Sequence, residues 1–163
     1  MIINNLDFDI DDSHPITTLS EIDKAYIAGL VDGEGCFSLT KKGNNKKAAS
    51  FTIAMCDKEI IKWLHNSIGC IGSFRIRDNQ HLTNRKDVAV ITIQSRQCLL
   101  FASVLLPYLR VKKRQAEIVI EYALTVLGKD KTGHWYIRYT ALELLKLEDL
   151  QTEITKLNFR GRV

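Results

Sequence analysis

Apolar residues recur along the chain in two periods, and the places where one period gives way to the other mark out its elements. Thr18 or Ser20, followed by Glu21 and Asp23, supplies an N-cap and an acidic first turn for a helix running to about Asp32, where Gly33 and Gly35 are expected to break it. From Cys36 the spacing shortens. Phe37 and Leu39 alternate with Ser38, Thr40 and Lys42, and after a lysine-rich turn Phe51, Ile53 and Met55 alternate with Ser50, Thr52 and Ala54, which predicts a hairpin with a basic tip. Asp57 can cap a helix whose Ile60, Ile61, Leu64 and Ile68 form one stripe ending at Gly69. In the next strand Phe74 and Ile76 point one way, and Arg75 and Arg77 the other. A polar connection follows, Asp78 to Asp87, and then Ala89, Ile91 and Ile93 alternate with Val88, Val90, Thr92 and Gln94. Both faces of that last strand are partly apolar, so its register stays open.

Helices follow from about Gln97 to Leu106, stopping before Pro107, and from about Lys112 to Leu127, with Ala116, Val119, Ile120, Ala123 and Leu127 as its inner stripe. After a turn at Lys129 to Gly133, a last helix carries Leu147, Leu150, Ile154 and Leu157. Helix, two strands, helix, two strands, then helices is an α+β pattern. It predicts a four-stranded antiparallel sheet with helices on one face and an extra C-terminal helix. The other sheet face would be exposed and rich in Ser, Thr, Lys and Arg. Residues 1–19 read as an acidic N-terminal arm, within which Leu6, Phe8 and Ile10 could form a short edge strand, and residues 20–163 as a single domain.

Charge changes this picture more than composition does. Residues 1–23 hold six of the 19 acids and none of the 23 Lys and Arg, which leaves the remaining chain at +10 although the total is +4. A body this basic suits a polyanion. On the exposed sheet face Ser38, Thr40, Lys42, Lys46, Thr52, Arg75 and Arg77 combine phosphate-binding cations with groups able to hydrogen-bond base edges, which points to duplex DNA. An ordinary solvated sheet alternates in the same way, and the paired arginines bring the two readings close to parity.

Cys36, Cys56, Cys70 and Cys98 lack CxxC spacing, and the four histidines form no HExxH-like pair. They read as buried free thiols in a reducing compartment, and any metal would be a hard one on oxygen ligands. No stretch approaches the ~18 apolar residues of a membrane span. The N-terminus resembles neither a signal peptide nor a transit peptide, so the expectation is an intracellular, non-secreted protein with no membrane partner.

One stretch gathers the chemistry. Ala25 to Phe37 contains Gly29 and Gly33 four apart, and glycine costs about 1 kcal/mol against alanine inside a helix, so close approach of a second helix is implied. Asp32 and Glu34 fall where that helix stops. Carboxylates at the negative end of a helix dipole are disfavoured by a few tenths to about 1 kcal/mol each, and a bound cation would reverse the sign.

Ile27 to Gly35 resembles the core motif of the LAGLIDADG homing endonucleases. The likeness extends to Phe51–Asp57, similar to that family's second strand and helix start, to Gly69–Arg77, and to the basic segment Leu106–Gln115. These four blocks span roughly residues 20–127 in the expected order. Only one motif copy is present, and in this family a single-motif chain works as a homodimer. Ala28, Gly29, Asp32 and Gly33 would then form the dimer interface, and the target would be a long, pseudo-palindromic duplex.

The resemblance implies Mg²⁺-dependent phosphodiester hydrolysis and a double-strand break, with two or more divalent ions at the dimer interface. Glu34 is the implied metal ligand, with Asp32, whose motif position more often has a structural role at the helix end, as its competitor; Lys112 is the implied second catalytic residue, at the position of a family basic residue near the active site, where it could stabilise charge on the phosphate or order the attacking water. Met55 departs from the family's usual glutamine and reads better as core packing. The resemblance further implies an organelle-encoded (chloroplast or mitochondrion) or microbial cytoplasmic protein. An intron maturase binding intron RNA, or a non-cleaving DNA-binding regulator on the same fold, are the alternatives. Glu34 argues against the regulator.

Overall fold

The computed structural model describes residues 13–42, 46–78, 86–130 and 139–159; the side chains at 41, 42, 46 and 128–130 lie outside that description. The element order is α1 (Glu21–Glu34), β1 (Gly35–Lys42), β2 (Lys46–Met55), α2 (Lys58–Ser67), β3 (Ser73–Arg77), β4 (Val88–Gln94), α3 (Ser95–Leu105), α4 (Lys113–Asp130) and α5 (Ala141–Asn158). Caps set the starts. The Ser20 hydroxyl accepts the Asp23 N–H, the Asp57 carboxylate accepts the Ile60 N–H, and Thr140 with Glu143 forms a reciprocal capping box.

The strands form one antiparallel sheet in the order β1-β2-β4-β3. The pairings Phe37↔Phe51↔Ile93 and Gly35↔Ile53↔Ile91↔Phe74 put these side chains on one face. That face is the core side, where Phe51 lies between Phe37 and Phe101 at ring-centroid distances of 4.9 and 4.6 Å. The open question of β4 register is thereby decided: Ala89, Ile91 and Ile93 face inward, because Phe51, Ile53 and Met55 opposite them do. All five helices contribute buried side chains to this core, including Ile27 and Val31 of α1, Ile61 and Leu64 of α2, Phe101 of α3, Val119 of α4 and Ile154 of α5. The expected α+β fold with an open sheet face is present. Met55 packs against the core as expected of its thioether.

Three expectations are corrected. Helix α1 runs through Gly33 to Glu34 rather than stopping at Asp32, and Gly35, with φ −75°, ends it by returning its N–H to the Val31 carbonyl. Gly35 is needed for space: a Cβ there would sit 2.7 Å from the Phe51 ring and 2.8 Å from the Val31 carbonyl oxygen. The arm does not extend to residue 19, because Ile16 is fully buried in the core and Pro15 packs against Gly69. Cys98 alone of the cysteines is buried, with its thiol pushed up to about 12 by burial; Cys36, Cys56 and Cys70 are exposed. The expected Leu6–Ile10 strand and most of the basic hairpin tip lie outside the described residues.

Candidate functional site

Helix α1 delivers its last turn to the border of the open sheet face. Three of its residues, Ile27, Ala28 and Val31, are buried in the chain's own core, so the opposite side of the helix carries Ile22, Ala25, Tyr26, Gly29 and Gly33, all exposed. A Cβ built on Gly29 or Gly33 meets nothing within 4 Å. The two glycines therefore do not serve packing inside this chain. Ala28 was expected at the interface and is instead a core residue at 0% exposure, about 100° around the helix from Gly29.

Asp32 is engaged on its carboxylate and on its carbonyl. Its carboxylate accepts the Arg110 N–H and the Lys112 N–H, both at 2.8 Å, and its carbonyl accepts from the Lys112 ammonium. Burial raises the Asp32 carboxyl, but the backbone N–H groups of Arg110, Lys112 and Val111 and the Lys112 charge outweigh it and hold the group below the ordinary carboxylate value. Lys112 itself is 9% exposed. Asp32 thus joins the end of α1 to the segment leading into α4, and each of its carboxylate oxygens already accepts a backbone N–H.

Glu34 differs from Asp32 in its surroundings. It is exposed, it occupies the last helical position, and among the described residues its carboxylate has no hydrogen-bond or ion-pair partner. No group of three His, Cys, Asp or Glu side chains is close enough to hold a metal among the described residues. Glu34 stands alone at the negative end of a helix dipole, which is an oxygen donor set suited to a hard divalent cation and to no soft one.

The open sheet face begins next to Glu34. The register places Cys36, Thr52, Thr92 and Ser73 in one row across all four strands, with Ser38, Ser50 and Gln94 in the next. Thr40 continues β1 toward the hairpin tip. On the other side of the first row lie Ala54, Val90 and Arg75, then Val88 and Arg77. Ser38, Thr40, Thr52, Arg75 and Arg77 therefore share the face expected of them; the side chains of Lys42 and Lys46 lie outside the described residues. Cys36, Ser50, Ser73, Thr92 and Gln94 belong to this face too and were not singled out from the sequence. Alternation placed Thr92 and Gln94 opposite Ile91 and Ile93, but only the pairing with Thr52 and Ser50 shows which strand face is open.

Neither Arg75 nor Arg77 has a carboxylate partner among the described residues, and both are exposed. The Ser50 and Thr40 hydroxyls are buried and lack a hydrogen-bond partner there. The surface thus presents cations that no carboxylate among the described residues engages, as phosphate contacts require.

The family profile described as LAGLIDADG endonuclease matches residues 27–120. No curated protein matches the chain. Among solved structures, the homing endonuclease I-CvuI in complex with a DNA target in the presence of Mg is similar with a TM-score of 0.65 and 19% identity, over 87% of this chain and 85% of that one. The archaeal intron-encoded homing endonuclease I-Vdi141I complexed with DNA is similar with a TM-score of 0.65 and 22% identity, over 86% of each chain. The LAGLIDADG homing endonuclease I-GzeII in complex with its DNA target has a TM-score of 0.60 and 18% identity, over 78% of this chain and 43% of that chain. At these identities the structural likeness is one of fold.

Proposed function

The chain belongs to the LAGLIDADG endonuclease family, and from that premise we propose that it is a site-specific homing endonuclease, acting as a homodimer that makes a double-strand break in a long, pseudo-palindromic DNA target by Mg²⁺-dependent phosphodiester hydrolysis. The observation that carries this reading is the position of Glu34. An uncommitted carboxylate sits at the end of a helix whose outer side is lined by small and apolar residues, and it borders the open sheet face.

That outer side supports homodimerisation. Gly29 and Gly33 let a second backbone approach, and Ile22 and Tyr26, 81% and 50% exposed, gain burial when it does. Two α1 helices packed along this face bring two Glu34 carboxylates to one two-fold axis. That the chain corresponds to less than half of I-GzeII supports two such units acting together. Each sheet then faces one half of a duplex site.

The donor chemistry at Glu34 fits Mg²⁺, and one carboxylate per protomer leaves the rest of a six-oxygen shell to the partner protomer and to DNA phosphates. When bound, the ion supplies charge neutralisation at the scissile phosphate. The protein's own groups do the positioning. Lys112 holds the end of α1 through the Asp32 carbonyl, and its remaining N–H donors can order a water or meet a phosphate oxygen. Asp32 fixes the backbone that carries Lys112.

Incubating the protein with a randomised duplex library in Mg²⁺ and sequencing the new ends tests this reading. Cleavage at one near-palindromic site in Mg²⁺, with binding but no cleavage in Ca²⁺, is the expected result. Ends scattered without sequence preference, or no new ends at all, would overturn it.

A further inference from the structure

Two features play no part in the endonuclease reading, the acidic N-terminal arm and the free edge of β3, and we propose that they meet. Residues 6–11 add to β3 as a fifth, antiparallel strand that sets Asp7 and Asp9 against Arg77 and Arg75, and duplex DNA has to displace it. Displacement by DNA rests on the reading that the open sheet face receives a duplex; the strand itself does not.

β3 ends the sheet order β1-β2-β4-β3, and among the described residues no strand lies along its outer edge. An open edge carries unpaired N–H and C=O groups and is a template for another extended segment. The two faces of this edge ask for opposite partners. Phe74 and Ile76 point to the helix side, paired with Ile91 and Ala89, yet Phe74 is only half-buried and Ile76 is 52% exposed. Arg75 and Arg77 point to the open side, exposed and without a carboxylate partner among the described residues. An added strand has to be apolar at every second residue and acidic between.

Residues 1–12 precede the described residues, and Leu6-Asp7-Phe8-Asp9-Ile10-Asp11 has that pattern, in an arm with no Lys or Arg. Residues directly opposite each other in a sheet share a face, so a strand with Phe8 and Ile10 against Ile76 and Phe74 necessarily sets Asp7 and Asp9 against Arg77 and Arg75. A slip of one residue would bury the aspartates and expose Phe8, which fixes the parity of the register. The point of departure fits as well. Pro15 packs against Gly69, where a Cβ would lie 2.9 Å from the proline Cγ. Five residues lead from Pro15 back to Ile10 and five from Gly69 on to Phe74, and five extended residues reach about 17 Å. Leaving the fold near the start of β3, the arm runs along that strand in the antiparallel sense, like every other pair in the sheet. Its carboxylates then occupy arginines that would otherwise meet phosphates. Non-specific binding, which is electrostatic, loses more by this than binding to a site that adds further contacts.

Amide hydrogen exchange on the full chain, together with its affinity for a random-sequence duplex in Ca²⁺, tests the proposal. Slow exchange is expected within residues 6–10 and along 73–77 of the free protein. Phe8→Pro keeps the arm's charge but removes a strand N–H, and should release both segments while Ile53 and Ile91 stay protected. Phe8→Pro and the double variant Asp7→Asn with Asp9→Asn should each bind the duplex about 2- to 30-fold tighter, the range that two opposed charge pairs supply. Residues 6–10 exchanging as fast as an unstructured peptide in the wild type would overturn the strand, and that measurement needs no variant to fold. Tighter binding by the asparagine variant alone is a net-charge effect and would overturn the competition. Protection as expected, with no duplex bound by any of the three proteins, would overturn the DNA reading and leave the strand standing.

Discussion

Asp32 and Lys112 bond each other in both directions: the Asp32 carboxylate accepts the Lys112 backbone N–H at 2.8 Å, and the Lys112 ammonium donates to the Asp32 carbonyl. The pair sits two residues before Glu34 and satisfies a carbonyl that the helix end would otherwise leave unpaired. A cation at the negative end of α1 is also where the dipole favours one. These bonds tie the segment 110–112 to the helix terminus.

Asp32→Asn should destabilise the fold by about 1–3 kcal/mol, because an amide can accept only one of the two N–H groups now facing the carboxylate and sets its own NH₂ against the other. The same variant changes the pH response. The folded-state value of Asp32 is depressed, so its contribution is present above the unfolded value of about 3.9 and is lost as pH falls through the folded one. Denaturant unfolding measured from pH 7 to pH 2 should show the wild type losing stability below about pH 4 and Asp32→Asn losing less over that range.

Glu34→Gln should abolish cleavage and leave the fold slightly more stable, by roughly a few tenths of a kcal/mol, since it removes a carboxylate from the negative end of α1. Paired cleavage and thermal-melting assays read the two effects separately. Retained cleavage would take Glu34 out of the metal site.

Glycines in one motif should respond oppositely to alanine. Gly29→Ala adds a Cβ that meets nothing in the protomer, and alone would favour the helix by about 1 kcal/mol, yet it should weaken a dimer packed on that face. Gly35→Ala drives a Cβ into Phe51 and the Val31 carbonyl and should cost about 1–3 kcal/mol in any oligomeric state. Sedimentation at several concentrations together with thermal melting distinguishes them. A Gly29→Leu protein sedimenting as wild type would move the interface elsewhere.

Helix α5 is held by apolar burial more than by its ion pairs to α4. Arg114 grips Glu153 through two bonds of 2.6 and 2.8 Å, but both side chains are about half exposed, so Arg114→Ala should cost no more than about 1 kcal/mol. Ile154→Ala, at a fully buried position, should cost about 2–5 kcal/mol. Chemical denaturation of the two variants orders them.

How much of this was legible in the chain varies with the range of the physics. Caps at Ser20 and Asp57, the alternation of Phe37 and Leu39 with Ser38 and Thr40, and the clustering of Arg75 and Arg77 on one face are local, and each was readable from a few neighbouring residues. The placement of Ala28 was not. One residue along a helix turns the side chain by about 100°, enough to move Ala28 into the core while its neighbour Gly29 remains outside. Thr92 and Gln94 escaped notice for a similar reason, since both faces of β4 are apolar enough to pass for a core side until β2 is laid beside it.

The sequence by itself determined the order of elements, the inward and outward faces of the better-patterned strands, the basic body and the motif that carries Glu34, because periodicity and charge act within a few residues. Only the tertiary structure decided which acid is free. Asp32 and Glu34 are two residues apart and chemically alike, and what separates them is the arrival of Arg110 and Lys112 from nearly 80 positions away, whose backbone N–H groups consume one carboxylate and leave the other open.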